Sequence, residues 1–123
     1  MRVLLDTHVL LWWQQDDPRL STAHRELIRG PENVVLVSAI SVAEVSIKAS
    51  LGKLDIVDDL VAQVEIDGFE ELPFTAAHAE ALRDLPLLHR DPFDRMLVAQ
   101  AKVEGIPLLT VDPRVKSYDV ATI

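Results

Sequence analysis

Cysteine is absent from this chain of 123 residues, and its absence removes several kinds of chemistry. The chain can form no disulfide, carries no thiolate nucleophile and has no cysteine-based zinc site. Glycine is scarce too, and the four glycines do not build a glycine-rich loop of the kind that binds nucleoside triphosphates. No apolar run is long enough to span a membrane, because Asp6 and His8 interrupt the apolar start of the chain. We therefore expect a cytoplasmic protein without a membrane-spanning segment.

Residues 55–82 contain no lysine or arginine, and this segment accounts for the negative net charge of the chain. The formal net charge is −8. Of the 20 acidic residues, eight lie in this segment, so the other twelve balance the 12 lysines and arginines found elsewhere. We interpret the acidic excess as one solvated surface. The balance argues against non-specific binding of nucleic acid through a broad basic surface.

Short apolar runs and helix signals alternate along the chain. The predicted strands are Val3–Leu5, Val34–Val37, Phe69–Leu72, Leu108–Val111 and an edge strand at Tyr118–Thr122. The predicted helices are His8–Gln14, Ser21–Arg29, a helix that begins at Ser38 or Ser41 and ends near Gly52, Asp58–Val64, Thr75–Leu85 and a helix from Asp91 to Glu104. This alternation predicts an α/β fold in which residues 1–123 form one domain, with a mostly parallel central sheet flanked by helices on both faces.

Acidic side chains stand where the predicted strands end or the next helices begin. Asp6 and Asp112 each end a strand, Glu44 lies early in a helix, and Asp91 and Asp94 open another helix. These points share one edge of an α/β sheet, which is where open sheets bind ligands. Carboxylates gathered there repel each other unless a cation neutralises them, and hard oxygen ligands suit Mg²⁺ or Mn²⁺. The residues alone therefore indicate a metal-dependent phosphodiester hydrolase.

Three of these acids also have a purely structural interpretation. Ser41 and Glu44 fit a capping box, in which the glutamate reaches back to the amide of the N-cap residue. Lys48 lies one turn further on and offers Glu44 an ion pair within the helix. Asp91 precedes a proline and fits a helix N-cap, while Asp112 precedes another proline and fits a turn. From these motifs alone, both interpretations stay open.

The histidines and tryptophans of the chain say less about its function than the acidic residues do. His24, His78 and His89 have no paired nucleophile at a useful spacing, and we expect His24 and His78 to be exposed helix residues. Trp12 and Trp13 follow the first acid closely. They fit either the core or an apolar groove that receives a segment of a partner protein.

Three segments together carry a resemblance to a known family: LLDTHVLLWW, SAISVAEVSIKASLGKL and HRDPFDRMLVAQAKVEGIPLLTVD. They resemble PIN domains and, more narrowly, the VapC toxins of bacterial type II toxin–antitoxin pairs. The resemblance spans nearly the whole chain, and HRDPFDRMLVAQA is its most specific part. It implies a Mg²⁺- or Mn²⁺-dependent endoribonuclease that cuts structured RNA such as tRNA or rRNA. It also implies a homodimer and inhibition by a cognate antitoxin protein.

The same resemblance implies which residues bind the metal and act in catalysis. The acidic quartet of the family falls on Asp6, Glu44, Asp94 and Asp112, with Asp91 as a further candidate ligand. Two alternatives stay open, a PIN-like nuclease that cuts other RNA or DNA outside a toxin–antitoxin pair, and a non-catalytic module that binds a partner. A phosphoacceptor receiver domain fits poorly, because one acid rather than two follows the first strand.

Overall fold

The two central strands form where the sequence is largely apolar, whereas one edge strand carries two glutamates. In the computed structural model, which describes residues 1–55 and 59–123, the strands are β1 (Arg2–Leu5), β2 (Val34–Ser38), β3 (Glu70–Leu72) and β4 (Leu108–Leu109). They pair in the order β3-β2-β1-β4, and every pairing is parallel. The prediction of a parallel central sheet is confirmed.

Helices connect the strands and begin where the sequence supplies a cap. The helices of the described ranges are α1 (Thr7–Gln14), α2 (Thr22–Arg29), α3 (Ala39–Ser50), α4 (Leu60–Ile66), α5 (Ala76–Ala81), α6 (Pro92–Glu104) and α7 (Pro113–Lys116), with a 3₁₀ turn at Leu82–Asp84. Short polar side chains accept backbone N–H groups at several helix starts, as N-cap residues do; these are Ser21, Ser38, Asp59, Asp91 and Asp112. Among the described residues, none of these helices has the length and apolar character needed to cross a bilayer.

Alternation along β1 divides the core into two apolar layers. Val3 and Leu5 point to one face, where α1, α2 and α4 pack, whereas Leu4 points to the other face and packs with α6. The prediction of helices on both faces of the sheet is therefore confirmed. Parallel pairing also places the carboxyl ends of all four strands at one edge, and the loops at that edge carry the acidic residues.

Two predicted strands differ from the structure. The strand predicted at Leu108–Val111 ends at Leu109, because Thr110 turns its side chain away to accept a hydrogen bond from the Asp112 N–H (3.1 Å). Tyr118–Thr122 was predicted as an edge strand and is not one. Tyr118 is buried and begins a tight turn, which leaves only a single bridge between Thr122 and Leu108.

Two helical predictions also need correction. The helix predicted at Thr75–Leu85 is divided into α5 and the following 3₁₀ turn. The helix predicted at Asp58–Val64 begins with a residue outside the described ranges, and its described part is α4, capped by Asp59. The short helix α7 was not predicted, although Asp112 and Pro113 form an ordinary cap and first residue for it.

Candidate active site

Asp6 leaves β1 at the edge where the acidic loops meet. It occupies the N-cap position of α1, yet its carboxylate accepts no capping hydrogen bond. Instead Oδ2 accepts a hydrogen bond from the Thr110 hydroxyl (2.6 Å), because β1 and β4 pair side by side up to Leu5 and Leu109. The other oxygen, Oδ1, is buried without a partner among the described residues. Such an orphan typically costs about 1–3 kcal/mol, so this oxygen is available to a cation or a donor.

Asp91 and Asp94, at the start of α6, make different contacts. The Asp91 Oδ1 accepts hydrogen bonds from the backbone N–H groups of Phe93 (2.9 Å) and Asp94 (3.3 Å), so the interpretation of Asp91 as an N-cap is confirmed. The Asp94 carboxylate takes no part in this cap. Its Oδ2 lies 2.7 Å from Nε2 of His89. The Asp94 carboxylate thus differs from that of Asp91 in contacting His89 and not the backbone of the helix.

Glu44 is buried in α3, and the capping-box interpretation of it is wrong. The helix begins earlier than that interpretation requires, with Ser38 as the N-cap. Ser41 lies inside the helix and shares a hydrogen bond with the Thr7 hydroxyl (2.9 Å). The alternative ion pair is present, since Lys48 Nζ lies 2.5 Å from Glu44 Oε2. The remaining oxygen, Oε1, is buried and has no hydrogen-bond partner in the described part of the chain.

Asp112 is tied to Asp6 through one side chain that the sequence did not single out. The Thr110 hydroxyl donates to Asp6 and accepts from the backbone N–H of Asp112. Asp112 also caps α7, because its Oδ1 accepts from the backbone N–H of Arg114 (2.9 Å) and lies 3.4 Å from the Arg114 Nε. Oδ2 faces the other way, 3.9 Å from His89 Nε2.

His89 is the residue of this site that sequence reasoning missed. It is buried, and its Nε2 lies between Asp94 (2.7 Å) and Asp112 (3.9 Å). Its position is fixed from behind: the His89 backbone N–H donates to the Tyr118 hydroxyl, which also accepts from Arg95. A local signal was present, because the segment HRDPFDR places His89 five positions before its partner Asp94, whereas Asp112 lies further along the chain and gave no such signal.

The burial of three further side chains, His78, Trp12 and Trp13, can be compared with the predictions made for them. His78 was expected to be exposed and is buried, because its Nδ1 accepts the Thr75 N–H (3.0 Å) and its ring tilts against Phe74. Trp12 and Trp13 are partly buried and pack against the core, and Trp12 also lines an open cleft, so the groove interpretation stays a prediction for Trp12.

Burial and mutual repulsion change the pKa values of the acidic residues. Burial raises the pKa of Asp94 to about 6, and the nearby charges of Asp6 and Asp91 add to the effect. Burial also raises the pKa of Asp6, although its hydrogen bond from Thr110 opposes the rise. For Asp112, burial acts upward, but the hydrogen bonds from Arg114 outweigh it and lower the pKa. The raised pKa values of Asp6 and Asp94 are expected of buried carboxylates gathered without a cation, whereas the pKa of Asp112 is determined by its contact with Arg114.

The donor set fits a hard divalent cation. The structure brings Asp6, Glu44, Asp94 and Asp112 to one edge, together with the cap residue Asp91. Ligand atoms of His89, Asp94 and Asp112 all lie within 4.8 Å of one another. The two buried oxygens without partners, on Asp6 and Glu44, are of the kind that Mg²⁺ and Mn²⁺ prefer. The role of these residues as metal ligands stays a prediction.

Comparisons with known proteins agree with this architecture. The family model of the PIN domain matches residues 3–121. The chain is 33% identical over 123 residues to Ribonuclease VapC22 of Mycobacterium tuberculosis, covering 94% of this chain and 91% of that protein.

Solved structures share the fold at lower identity. VapBC2 from Rickettsia felis, crystallised with a DNA fragment from its promoter, superposes with a TM-score of 0.71 at 17% identity, covering 100% of this chain and 98% of that one. FitAcB from Neisseria gonorrhoeae gives a TM-score of 0.66 at 21% identity, covering 98% and 96%. The fold, the family model and the similarity to VapC22 together show that this chain belongs to the PIN domain family.

Proposed function

We propose that this protein is a Mg²⁺- or Mn²⁺-dependent endoribonuclease and the toxin of a type II toxin–antitoxin pair. The observation that carries the proposal is the meeting of Asp6, Glu44, Asp94 and Asp112 at one edge of a PIN-family sheet, two of them with buried oxygens that have no partner among the described residues. The similarity to a protein named as a ribonuclease supports RNA as the substrate. The VapBC2 structure supports an antitoxin as the partner.

The side chains of this chain would divide the work as follows. Asp6 and Asp94 would hold the ion directly, while Glu44 and Asp112 would complete its coordination or hold its waters. A bound divalent ion lowers the pKa of a coordinated water and neutralises charge on the phosphate oxygens. Hydrolysis itself would join a water oxygen to phosphorus, break the bond from phosphorus to the sugar oxygen, and pass the proton lost by the water to that sugar oxygen.

Thr110 and His89 fix the orientation of the proposed ligands. The Thr110 hydroxyl donates to Asp6 Oδ2, so Oδ1 would be the oxygen available to an ion. His89 holds one oxygen of Asp94 in the same way. Partners of this kind set ligand geometry and typically change metal affinity about 10–100-fold when they are removed. Asp91 serves α6 as a cap with Oδ1, and its other oxygen is a further candidate ligand.

We further propose that structured RNA, such as tRNA or rRNA, is the target in the cytoplasm, and that the enzyme works as a homodimer held inactive by its antitoxin. The test is to map new RNA ends in cells after brief induction of the wild-type protein or of Asp94→Asn. Asp119→Asn is the matched control, because Asp119 is exposed and lies beside Lys102 and Gly105, at the end of α6 opposite to Asp94. New ends with the wild type and with Asp119→Asn, but not with Asp94→Asn, are expected. Equal ends with all three proteins, or none with soluble wild type, would contradict the proposal.

A further inference from the structure

A cleft of about 260 Å³ opens directly beside the candidate active site, between α1 and α3. We call it the cationic cleft and define it by His8, Trp12, Arg19, Glu44, Lys48 and Lys53. Glu44 belongs to both the cleft and the acidic cluster, so the two are continuous. A ligand in the cleft would therefore extend from the point where the acids gather.

The charge of the cleft is opposite to that of the protein as a whole. Three cations line it, Arg19, Lys48 and Lys53. Arg19 is paired with Asp17 and Lys48 with Glu44, so the local excess is one positive charge. The chain as a whole carries a formal net charge of −8. A local cationic lining in an acidic protein selects for an anionic ligand at this place and not over the whole surface.

Lys48 connects the two regions. Its Nζ lies 2.5 Å from Glu44 Oε2, and it is close enough to Asp91 and Asp94 for their charges to raise its pKa. A cation at the border of the acidic cluster is in a position to contact the phosphate next to the scissile phosphate of a bound RNA.

The aromatic lining supplies a flat surface. The exposed His8 ring stacks on Trp12, with ring centroids 6.2 Å apart and planes at 30°. The guanidinium of Arg19 lies 5.1 Å from the centre of the Trp12 ring, held there by two hydrogen bonds to Asp17 (2.7 and 3.1 Å). Aromatic rings beside a cationic groove are the usual means of binding single-stranded nucleic acid, because every base has a face that stacks.

We propose that the cationic cleft binds the nucleotide adjacent to the scissile phosphate of a single-stranded RNA segment. The base stacks on the exposed face of His8, and the backbone phosphates lie against Lys48 and Lys53. The inference rests on the proposed ribonuclease function. Ligand clefts usually measure about 300–1,000 Å³, so this smaller one suits a single nucleotide better than the helix of a partner protein.

The test measures RNA binding separately from cleavage. Fluorescence anisotropy follows a fluorescein-labelled single-stranded RNA hexamer, with Ca²⁺ supplied as the divalent ion, at several salt concentrations. The variants are His8→Ala, which changes an exposed side chain, and Lys53→Glu. Lys102→Glu is the control, since it makes the same charge change on an exposed part of α6 remote from the cleft.

We expect His8→Ala to weaken RNA binding about fivefold or more, as the loss of a stacking partner does. Lys53→Glu should weaken binding by a similar factor and reduce the slope of log Kd against log salt by about one. Lys102→Glu should behave as the wild type. Equal affinity in all four proteins overturns the proposal. So does a loss of antitoxin binding in Lys53→Glu while RNA affinity stays unchanged, because that result assigns the cleft to the protein partner.

Cross-linking locates the bound base directly. A hexamer that contains 4-thiouridine is irradiated on the wild-type protein, and tryptic peptides are identified by mass spectrometry. We expect the adduct on the peptide of residues 3–19, which contains His8 and Trp12. Adducts confined to other peptides would overturn the proposal. Failure of the wild type to cut any RNA, with the adduct still on this peptide, would instead count against the ribonuclease function alone.

Discussion

Replacing Asp94 with asparagine should make the metal-free protein more stable at pH 7. The folded chain holds the Asp94 carboxylate in a buried position close to the charges of Asp6 and Asp91. Asparagine has nearly the same shape and can keep the contact with His89 Nε2 through its amide oxygen. The substitution therefore removes the repulsion and leaves the packing in place.

The size of the effect follows from the pKa. Burial and the neighbouring acids raise the pKa of Asp94 from 3.8 to about 6. Because each pKa unit is worth about 1.4 kcal/mol, this difference corresponds to about 3 kcal/mol of destabilisation when Asp94 is ionised. The side chain is only 15% exposed, so solvent screens it little. The hydrogen bond with His89, which lowers the pKa, is already included in the value of about 6, so the expected gain is about 3 kcal/mol.

The direction in which stability changes with pH follows from the raised pKa of Asp94. Between about pH 4 and pH 6 the folded protein binds this proton more tightly than the unfolded chain does, so stability falls as pH rises through that range. Above that range the full penalty is present. The Asp94→Asn protein should lack this part of the slope, and a divalent ion should stabilise the wild type and not the variant.

Urea unfolding in EDTA at pH 4.5, 6 and 7.5, repeated with Mn²⁺, measures all of these effects. The exposed Asp119→Asn protein is the control, because it removes one acid of the same type from the surface. An Asp94→Asn protein that is no more stable than the wild type at pH 7.5 in EDTA would refute the reasoning. So would a wild-type protein whose stability in EDTA rises between pH 4.5 and pH 6 by as much as the variant's.

Three more predictions follow from the contacts of the site. His89→Gln should weaken Mn²⁺ binding about tenfold or more while the fold is kept, measured by titration calorimetry and circular dichroism; unchanged affinity would remove His89 from the site. Thr110→Val leaves both oxygens of Asp6 without a partner and should cost about 1–3 kcal/mol in urea unfolding, whereas Thr110→Ser should cost much less; equal losses would contradict the role of the hydroxyl. Glu44→Gln should abolish RNA cleavage but change stability by about 1 kcal/mol or less, since the lost pair with Lys48 is partly exposed; retained activity would exclude Glu44 as a ligand.

Local sequence signals were sufficient for the elements that carry the acids. The apolar run of β1 ends abruptly at Asp6, and a charge at that place has few structural uses. Asp91 with Pro92 fits the start of a helix so well that the boundary of α6 could be read directly. Such features depend on neighbouring residues alone, which is why the parallel α/β fold was predicted correctly.

Features that depend on distant partners could not be predicted. Ser38 and Ser41 are equally good caps in the sequence, and only the packing of Ser41 against Thr7 decides between them. The contact of Thr110 with Asp6 spans 104 positions and exists only because β1 and β4 pair in one particular register. Tyr118, Asp119 and Val120 alternate between apolar and polar residues, as in an edge strand.

The burial of Tyr118 shows why that alternation misled. The Tyr118 hydroxyl accepts hydrogen bonds from the backbone N–H of His89 and from the guanidinium of Arg95. The side chain therefore helps to hold His89 in place and is not free to take a position in the sheet. A sheet position would have pointed the ring elsewhere. His89 and Tyr118 are therefore two parts of one arrangement, and neither could be recognised without the other.

The most direct test of this account is diffraction from a crystal grown with Mn²⁺ and recorded at the manganese absorption edge. The account predicts an anomalous peak within about 2.1 Å of a carboxylate oxygen of Asp6 and of Asp94, close to Glu44 Oε1. Crystals of Asp94→Asn grown in the same way should lack that peak. Manganese bound only at other acids, or bound equally in both proteins, would contradict the claim that these carboxylates form the metal centre.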